Sequence, residues 1–143
     1  MKAILFAAIL LVVAALACGC TTAPAQQAGT ATTPNLTGNW TGTATGYLEG
    51  TGFTDYSGGR MIMSVTSQKD RIFEGKYIYP NLTGSAQTVG FAGAVARDGR
   101  TLTIVETNGG YSTGTLVTPG EIELIFADDS GPIEVAIDTL KKS

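Results

Sequence analysis

Short turn-forming pairs recur through most of this 143-residue chain: Lys69-Asp70, Asp98-Gly99, Asn108-Gly109, Pro119-Gly120 and the cluster Asp128-Asp129-Ser130-Gly131. Between them, Val, Ile, Leu, Tyr and Phe alternate with polar or small residues. A period of two marks a strand with one buried face, and the gaps between runs are too short for helices. The alternation predicts strands near 36–48, 60–67, 72–80, 86–97, 100–107, 111–118, 121–127 and 133–140. Nineteen glycines, well above the usual share of about 7%, are scattered through these runs, which fits tight turns and crowded strands.

Each turn, read from its own residues, sets a register. A two-residue type I′ loop at Asp98-Gly99 places Val95 opposite Leu102, Gly93 opposite Ile104 and Phe91 opposite Glu106. A second at Asn108-Gly109 places Ile104 opposite Thr113 and Leu102 opposite Thr115. Pro119-Gly120 then sets Thr115 against Leu124 and Val117 against Ile122. A four-residue loop at 129–132 sets Phe126 against Val135 and Leu124 against Ile137. On these registers one apolar face persists through five strands, where a single one-residue slip would invert it. The face extends back through Phe73, Gly75, Tyr77 and Tyr79, given a three-residue loop at 69–71, then through Met61, Met63 and Val65. On the first strand it carries Leu36, Gly38, Trp40, Gly42, Ala44, Gly46 and Leu48. The expectation is an all-β fold: an eight-stranded antiparallel up-and-down meander closed into a small barrel, which leaves no free edge. A two-sheet β-sandwich is the alternative.

The N-terminus is of another kind. After Met1-Lys2, residues 3–17 are an unbroken apolar run, the length of a signal-peptide core and short for a bilayer span. It ends in Ala17-Cys18-Gly19-Cys20. An apolar stretch, a small residue and then Cys resembles the lipobox of prokaryotic lipoproteins. That resemblance implies cleavage, a diacylglyceryl group on Cys20 (alternatively Cys18), and an extracytoplasmic protein tethered to the cell membrane. A plain cleaved signal peptide and an uncleaved anchor are the other readings. Without further cysteines the domain has no disulfide of its own. The organisation expected is a signal peptide at 1–20, a flexible Thr/Ala/Pro linker at 21–34 and a barrel domain at 35–143.

Leu36-Thr37-Gly38-Asn39-Trp40 opens the first strand. Gly-x-Trp in that place resembles the signature of the calycins, the superfamily of lipocalins and avidins, whose Trp plugs one end of an eight-stranded barrel. The resemblance covers strand count, meander order and this motif. It implies a basic residue near the last strand packed on the Trp, a role open here to Lys141 or Lys142. Avidin-type biotin sites use several tryptophans, and this chain has one.

Composition narrows the function. There is no histidine, so the commonest general base and the commonest transition-metal ligand are both missing. Twelve acidic residues face nine basic ones, of which Lys2 lies in the leader, and a nucleic-acid partner needs clustered Lys and Arg. Serine lacks a His partner, no glycine-rich stretch opens a helix, and no calcium-loop motif accompanies the pairs Glu121/Glu123 and Asp128/Asp129. Neither an enzyme nor a cofactor or metal is expected. The inward residues Trp40, Met61, Met63, Tyr77, Tyr79, Phe91, Glu106 and Phe126 form a candidate ligand-binding wall, and the same residues could equally fill a narrow barrel. Asn35, Asn39 and Asn81 head N-x-Ser/Thr sequons and are candidate glycosylation sites, the first and last within a repeated Pro-Asn-Leu-Thr-Gly. Ile62, Ile78, Val105, Leu116 and Ile125 are placed outward, where they could form a partner patch. The function expected is therefore a membrane-anchored, non-enzymatic binding module for a small apolar ligand. The alternative is a protein-contact role, as an inhibitor or envelope-assembly lipoprotein with a filled core.

Overall fold

A computed structural model describes residues 31–56, 60–79 and 86–143. The leader, Cys18, Cys20, most of the linker, Asn81 and the second copy of the repeated pentapeptide lie outside the described residues. Nine strands are present among them: β1 (Gly38–Leu48), β2 (Gly52–Asp55), β3 (Met61–Lys69), β4 (Ile72–Tyr79), β5 (Gln87–Val95), β6 (Thr101–Glu106), β7 (Tyr111–Thr118), β8 (Glu121–Asp128) and β9 (Glu134–Lys142). All pairings are antiparallel, β3 to β9 follow one another as a meander, and β1 pairs with β9 to close the barrel. The extra element is β2. It pairs with the second half of β1, whereas β3 pairs with the first half, so the two short ladders share one edge of a long strand.

The expected inner face holds on six of the seven barrel-forming strands that precede β9, β7 being the exception. Trp40, Met63, Phe73, Tyr77, Leu102, Ile104, Ile122 and Leu124 are all essentially inaccessible. Each large side chain so buried stabilises the fold by about 1.5–3 kcal/mol. The Asp98 turn keeps the expected Val95–Leu102 and Phe91–Glu106 pairs. It is, however, a wider loop in which Gly99 alone has positive φ, and the Asp98 carboxylate accepts the N–H groups of Arg100 (2.8 Å) and Thr101 (2.9 Å). Two- and four-residue loops centred on one point give the same alignment, so the register survives. Ile62 and Ile78 are cross-strand partners as expected, with a bulge at Thr66 and a two-residue turn in place of the three-residue loop.

On β7 the expectation is inverted. Ser112 faces Ile104 and Phe126, and Gly114 faces Leu102 and Leu124. Ser112 and Leu116 are buried, whereas Val117 is 45% exposed. Two slips of one residue cause this, and they cancel. Asn108 does not take positive φ, so only Gly109 is left-handed, and a three-residue loop joins Glu106 to Gly110 through the Glu106 N–H donating to the Gly110 carbonyl (2.9 Å). At the other end a bulge at Val117 restores the phase before the Thr118–Glu121 turn. Volume explains the choice. The lumen accepts Ser, Gly and Leu opposite the large side chains of β6 and β8, where Thr113, Thr115 and Val117 would bring branched chains and two hydroxyls.

β9 is inverted too, without compensation. A five-residue connection pairs Asp128 with Glu134, so Ala136, Asp138 and Leu140 face inward, while Val135 and Ile137 are 44% and 50% exposed. The closing ladder accounts for it. Trp40 is directly opposite Lys142, whose ammonium lies 5.1 Å from the indole centroid and donates to the Asn35 carbonyl (3.0 Å). Lys142 therefore takes the place the Trp-packing basic residue was expected to take. Strand β1 comes so near β9 that a side chain at Gly42 would strike the Thr139 carbonyl, which explains a glycine there.

The Trp40 end is sealed. The chain before β1 folds across the barrel base and buries Leu36, whose carbonyl accepts the Trp40 indole N–H at 2.8 Å. Gln68 pins this segment, its side-chain oxygen accepting the Leu36 N–H (2.8 Å) and its amide donating to the Pro34 carbonyl (2.8 Å).

The register of β7 gives a direct test. Leu116→Ala is expected to cost about 2–4 kcal/mol, and Val117→Thr less than about 0.5 kcal/mol. Urea unfolding followed by the emission of the single tryptophan, Trp40, measures both, and the reverse order would contradict the register.

Candidate functional site

The end opposite Trp40 is built differently. Inward alternation brings Tyr77 and Tyr79 from β4, Phe91 from β5, Glu106 from β6, Ser112 from β7, Phe126 from β8 and Asp138 from β9 to one region of the lumen. The rings come first. Tyr77 and Phe91 have centroids 4.7 Å apart and tilted, Tyr77 and Tyr79 6.1 Å, and Phe91 meets Phe73 edge-on at 6.2 Å. Glu106 ends β6 opposite Phe91, immediately before the three-residue loop. Its carboxyl and the Phe126 ring converge over Gly110, where any side chain would collide with the ring.

Polar groups lie among these rings. Ser112 and Asp138 are the buried polar residues of the described chain, at 1% and 6% exposure, and Glu106 is half-buried. Burial pushes the Glu106 carboxyl up to about 7, with the negative charges of Asp138, Asp128 and Glu134 adding to it. Burial likewise pushes Asp138 up to about 6, and Glu134 adds to it. The charges acting on both are acids, so nothing offsets desolvation. The Tyr77 hydroxyl is buried without a hydrogen-bond partner. Ser112 lies near enough to moderate its acidity yet not in bonding geometry, and the phenol is held well above its ordinary range by burial first, then by Glu106, Tyr79 and Asp138. Tyr79 is raised in the same sense and chiefly by burial. An unmet buried hydroxyl costs about 1–3 kcal/mol, and natural structures tolerate few.

The sequence-derived wall thus divides in two. Trp40 and Met63 belong to the packed, sealed half, and Met61 is buried beside them on the β3 face. Tyr77, Tyr79, Phe91, Glu106 and Phe126 belong to the opposite half, where polar groups stand among the rings. Asp138 and Ser112 were missed because both stood on strands whose phase was inverted. The signals were present, in the small-small-large pattern Ser112-x-Gly114-x-Leu116 and in the shared parity of Leu140 and Lys142. Among the described residues no group of three or more Cys, Asp or Glu side chains is arranged to hold a metal ion. Asn35 and Asn39 are exposed, the Asn35 side-chain oxygen accepting both the Thr37 N–H (3.0 Å) and its hydroxyl (2.6 Å). Asp128 caps its own turn by accepting the Ser130 N–H at 2.8 Å.

The outer surface carries a second feature. Val105, Tyr111, Ala127, Val135, Tyr47 and Phe53 are successive partners across six strands. The five large ones are exposed, from 38% for Tyr47 to 94% for Phe53. Ile125 and Ile137 run beside them, and an open groove of about 560 Å³ lies between β2 and the β8–β9 pair. Of the residues expected outside, Val105 and Ile125 are in or beside this row, Ile62 and Ile78 are half-buried, and Leu116 is inside. No protein-family model matches the chain, and no curated protein is significantly similar to it.

The acid pair has a measurable consequence. Both folded-state values exceed the ordinary 3.8 and 4.5, so the folded protein holds these protons more tightly than the unfolded chain. The stability this confers is complete below the ordinary values and is lost as pH rises through about 6 for Asp138 and about 7 for Glu106. Asp98, held down to about 2 by hydrogen bonds from Thr101 and Arg100, acts oppositely and withdraws its share only in strong acid. Melting temperature is therefore expected to peak near pH ~4–5 and to fall toward pH ~8. Asp138→Asn should flatten that decline and raise the melting temperature at the alkaline end.

Proposed function

We propose that the chain is an exported lipoprotein, anchored through Cys20, whose barrel takes a small, largely apolar ligand into the half of its lumen away from Trp40, without chemical change. The observation that carries this reading is the asymmetry of the lumen. One half is closed by Leu36 and Trp40 and tightly packed. The other combines the rings of Tyr77, Tyr79, Phe91 and Phe126 with a few polar groups, the mixture by which ligand sites supply both contact area and orientation. The anchor is supported by the leader and its Ala-Cys-Gly-Cys ending. A site for an anion has no support among the described residues that face the lumen above Trp40, where no His, Lys or Arg stands.

The protein-contact reading is favoured by a separate observation, the exposed row from Val105 to Phe53. Rows of this kind mark association surfaces. If contact through this face is the activity, the protein self-associates, and Phe53→Ser with Val135→Thr abolishes association in sedimentation while leaving the lumen untouched.

Two measurements test the leading reading. Native mass spectrometry of the full chain purified from its own membrane is expected to show a bound small molecule, and a bare protein mass under gentle conditions would overturn ligand carriage. Metabolic labelling with a radioactive fatty acid is expected to mark the protein, and Cys20→Ser to abolish the label. Label retained by that variant and lost in Cys18→Ser would move the anchor two residues.

A further inference from the structure

The half of the lumen away from Trp40 holds two acids, and the nearby charges are further acids: Asp128 on β8 and Glu134 on β9. Facing them from β4 are Tyr77, whose buried hydroxyl has no partner, and Tyr79. An apolar ligand would leave this arrangement as costly as it is when empty, because the acids would stay desolvated and the hydroxyl unmet. A cation carrying N–H groups would satisfy all three at once.

Resting on the ligand-binding reading above, we infer that this polar half of the lumen selects a small primary amine in its ammonium form, seated between Glu106 and Asp138 with an N–H directed at the Tyr77 oxygen. The two carboxylates accept charge-assisted hydrogen bonds and neutralise the cation. The Tyr77 oxygen, buried with the acids nearby, accepts the third. The hydrocarbon of the amine lies against Tyr79, Phe91 and Phe126, whose rings also attract positive charge through their faces. Selectivity is built from polar groups that a neutral isostere leaves unpaired, which discriminates far more strongly than apolar shape does.

The same geometry makes capture depend on pH. An ammonium group binds the ionised acids, so loading expels their protons. Asp128 and Glu134 reinforce the attraction for a cation while hindering ionisation of the empty site. Binding is therefore favoured at neutral and alkaline pH and weakened in acid, the opposite of the pH dependence of the empty fold.

The experiment is calorimetric titration of the purified full chain with 2-phenylethylammonium chloride and, separately, with neutral 2-phenylethanol. The amine is expected to bind at least ten-fold more tightly at pH 8 and to lose that advantage at pH 5. Glu106→Gln and Asp138→Asn should each weaken amine binding by about ten- to a hundred-fold, the loss of one charge-assisted hydrogen bond. Neither should change binding of the alcohol. Asp138→Asn is expected to fold at least as stably as the parent at pH 8, so loss of binding in it is not loss of structure. Equal affinity for amine and alcohol would overturn the cation site and leave apolar carriage standing. Amine binding that neither variant weakens would also overturn it. Failure of both probes to bind would overturn the cation site and count against the ligand-binding reading itself.

Discussion

Everything in this fold turns on the ladder between β1 and β9. Strand β1 touches both ends of the meander, pairing with β3 on one edge and β9 on the other. Its glycines let β9 approach, and Lys142 seated on Trp40 fixes how far β9 slides. Closing a barrel gives the final strand two neighbours, and its register must satisfy both. Here the backbone ladders and the Lys–Trp contact outweigh the apolar preference of Val135 and Ile137, which are left facing water.

That choice creates the asymmetry of the lumen. The register that puts Lys142 over Trp40 also turns Asp138 inward, four residues earlier on the same face. Slippage on β7 turns Ser112 inward beside it. Two polar groups thus enter the lumen because closure and volume required it, and they meet Glu106 and the Tyr77 hydroxyl there. The cost of their burial is borne by a core that is otherwise wholly apolar, from Leu36 at the base to Ile104 and Leu124 at mid-height. The residues displaced outward, Val135 and Ile137, join the exposed row that runs to Phe53, so one register sets the character of both surfaces.

Much of the architecture was legible before any coordinates. The number and order of the barrel strands, the Asp98 register and the inner faces of β3 to β6 and of β8 all follow from alternation and turn chemistry, while Trp40 as the plug was implied by the resemblance of its Gly-x-Trp motif. Each of the two errors begins at a loop one residue longer than the one read, three residues instead of two after Glu106 and five instead of four after Asp128. Asn-Gly suits a type I′ turn, but a three-residue loop with one left-handed glycine uses the same residues and shifts the phase by one. On β7 a bulge hid the shift by reversing it, which is why agreement across neighbouring strands gave no warning. The short β2 was missed because Gly52-Phe53-Thr54-Asp55 has a single apolar residue, and that residue points to solvent. As for the site, the rings and Glu106 lay on strands with unambiguous phase, whereas Ser112 and Asp138 did not.

The amino-acid order alone determined that the fold is all-β, that its strands follow one another in a meander, and that Trp40 faces inward on the first strand, since these depend on local period and local turns. Only the tertiary structure decided which face of β7 and β9 looks inward. Phase at a turn is worth little locally, and the contest is settled by what must fit opposite Leu102, Leu124 and Trp40 once the ring of strands is shut.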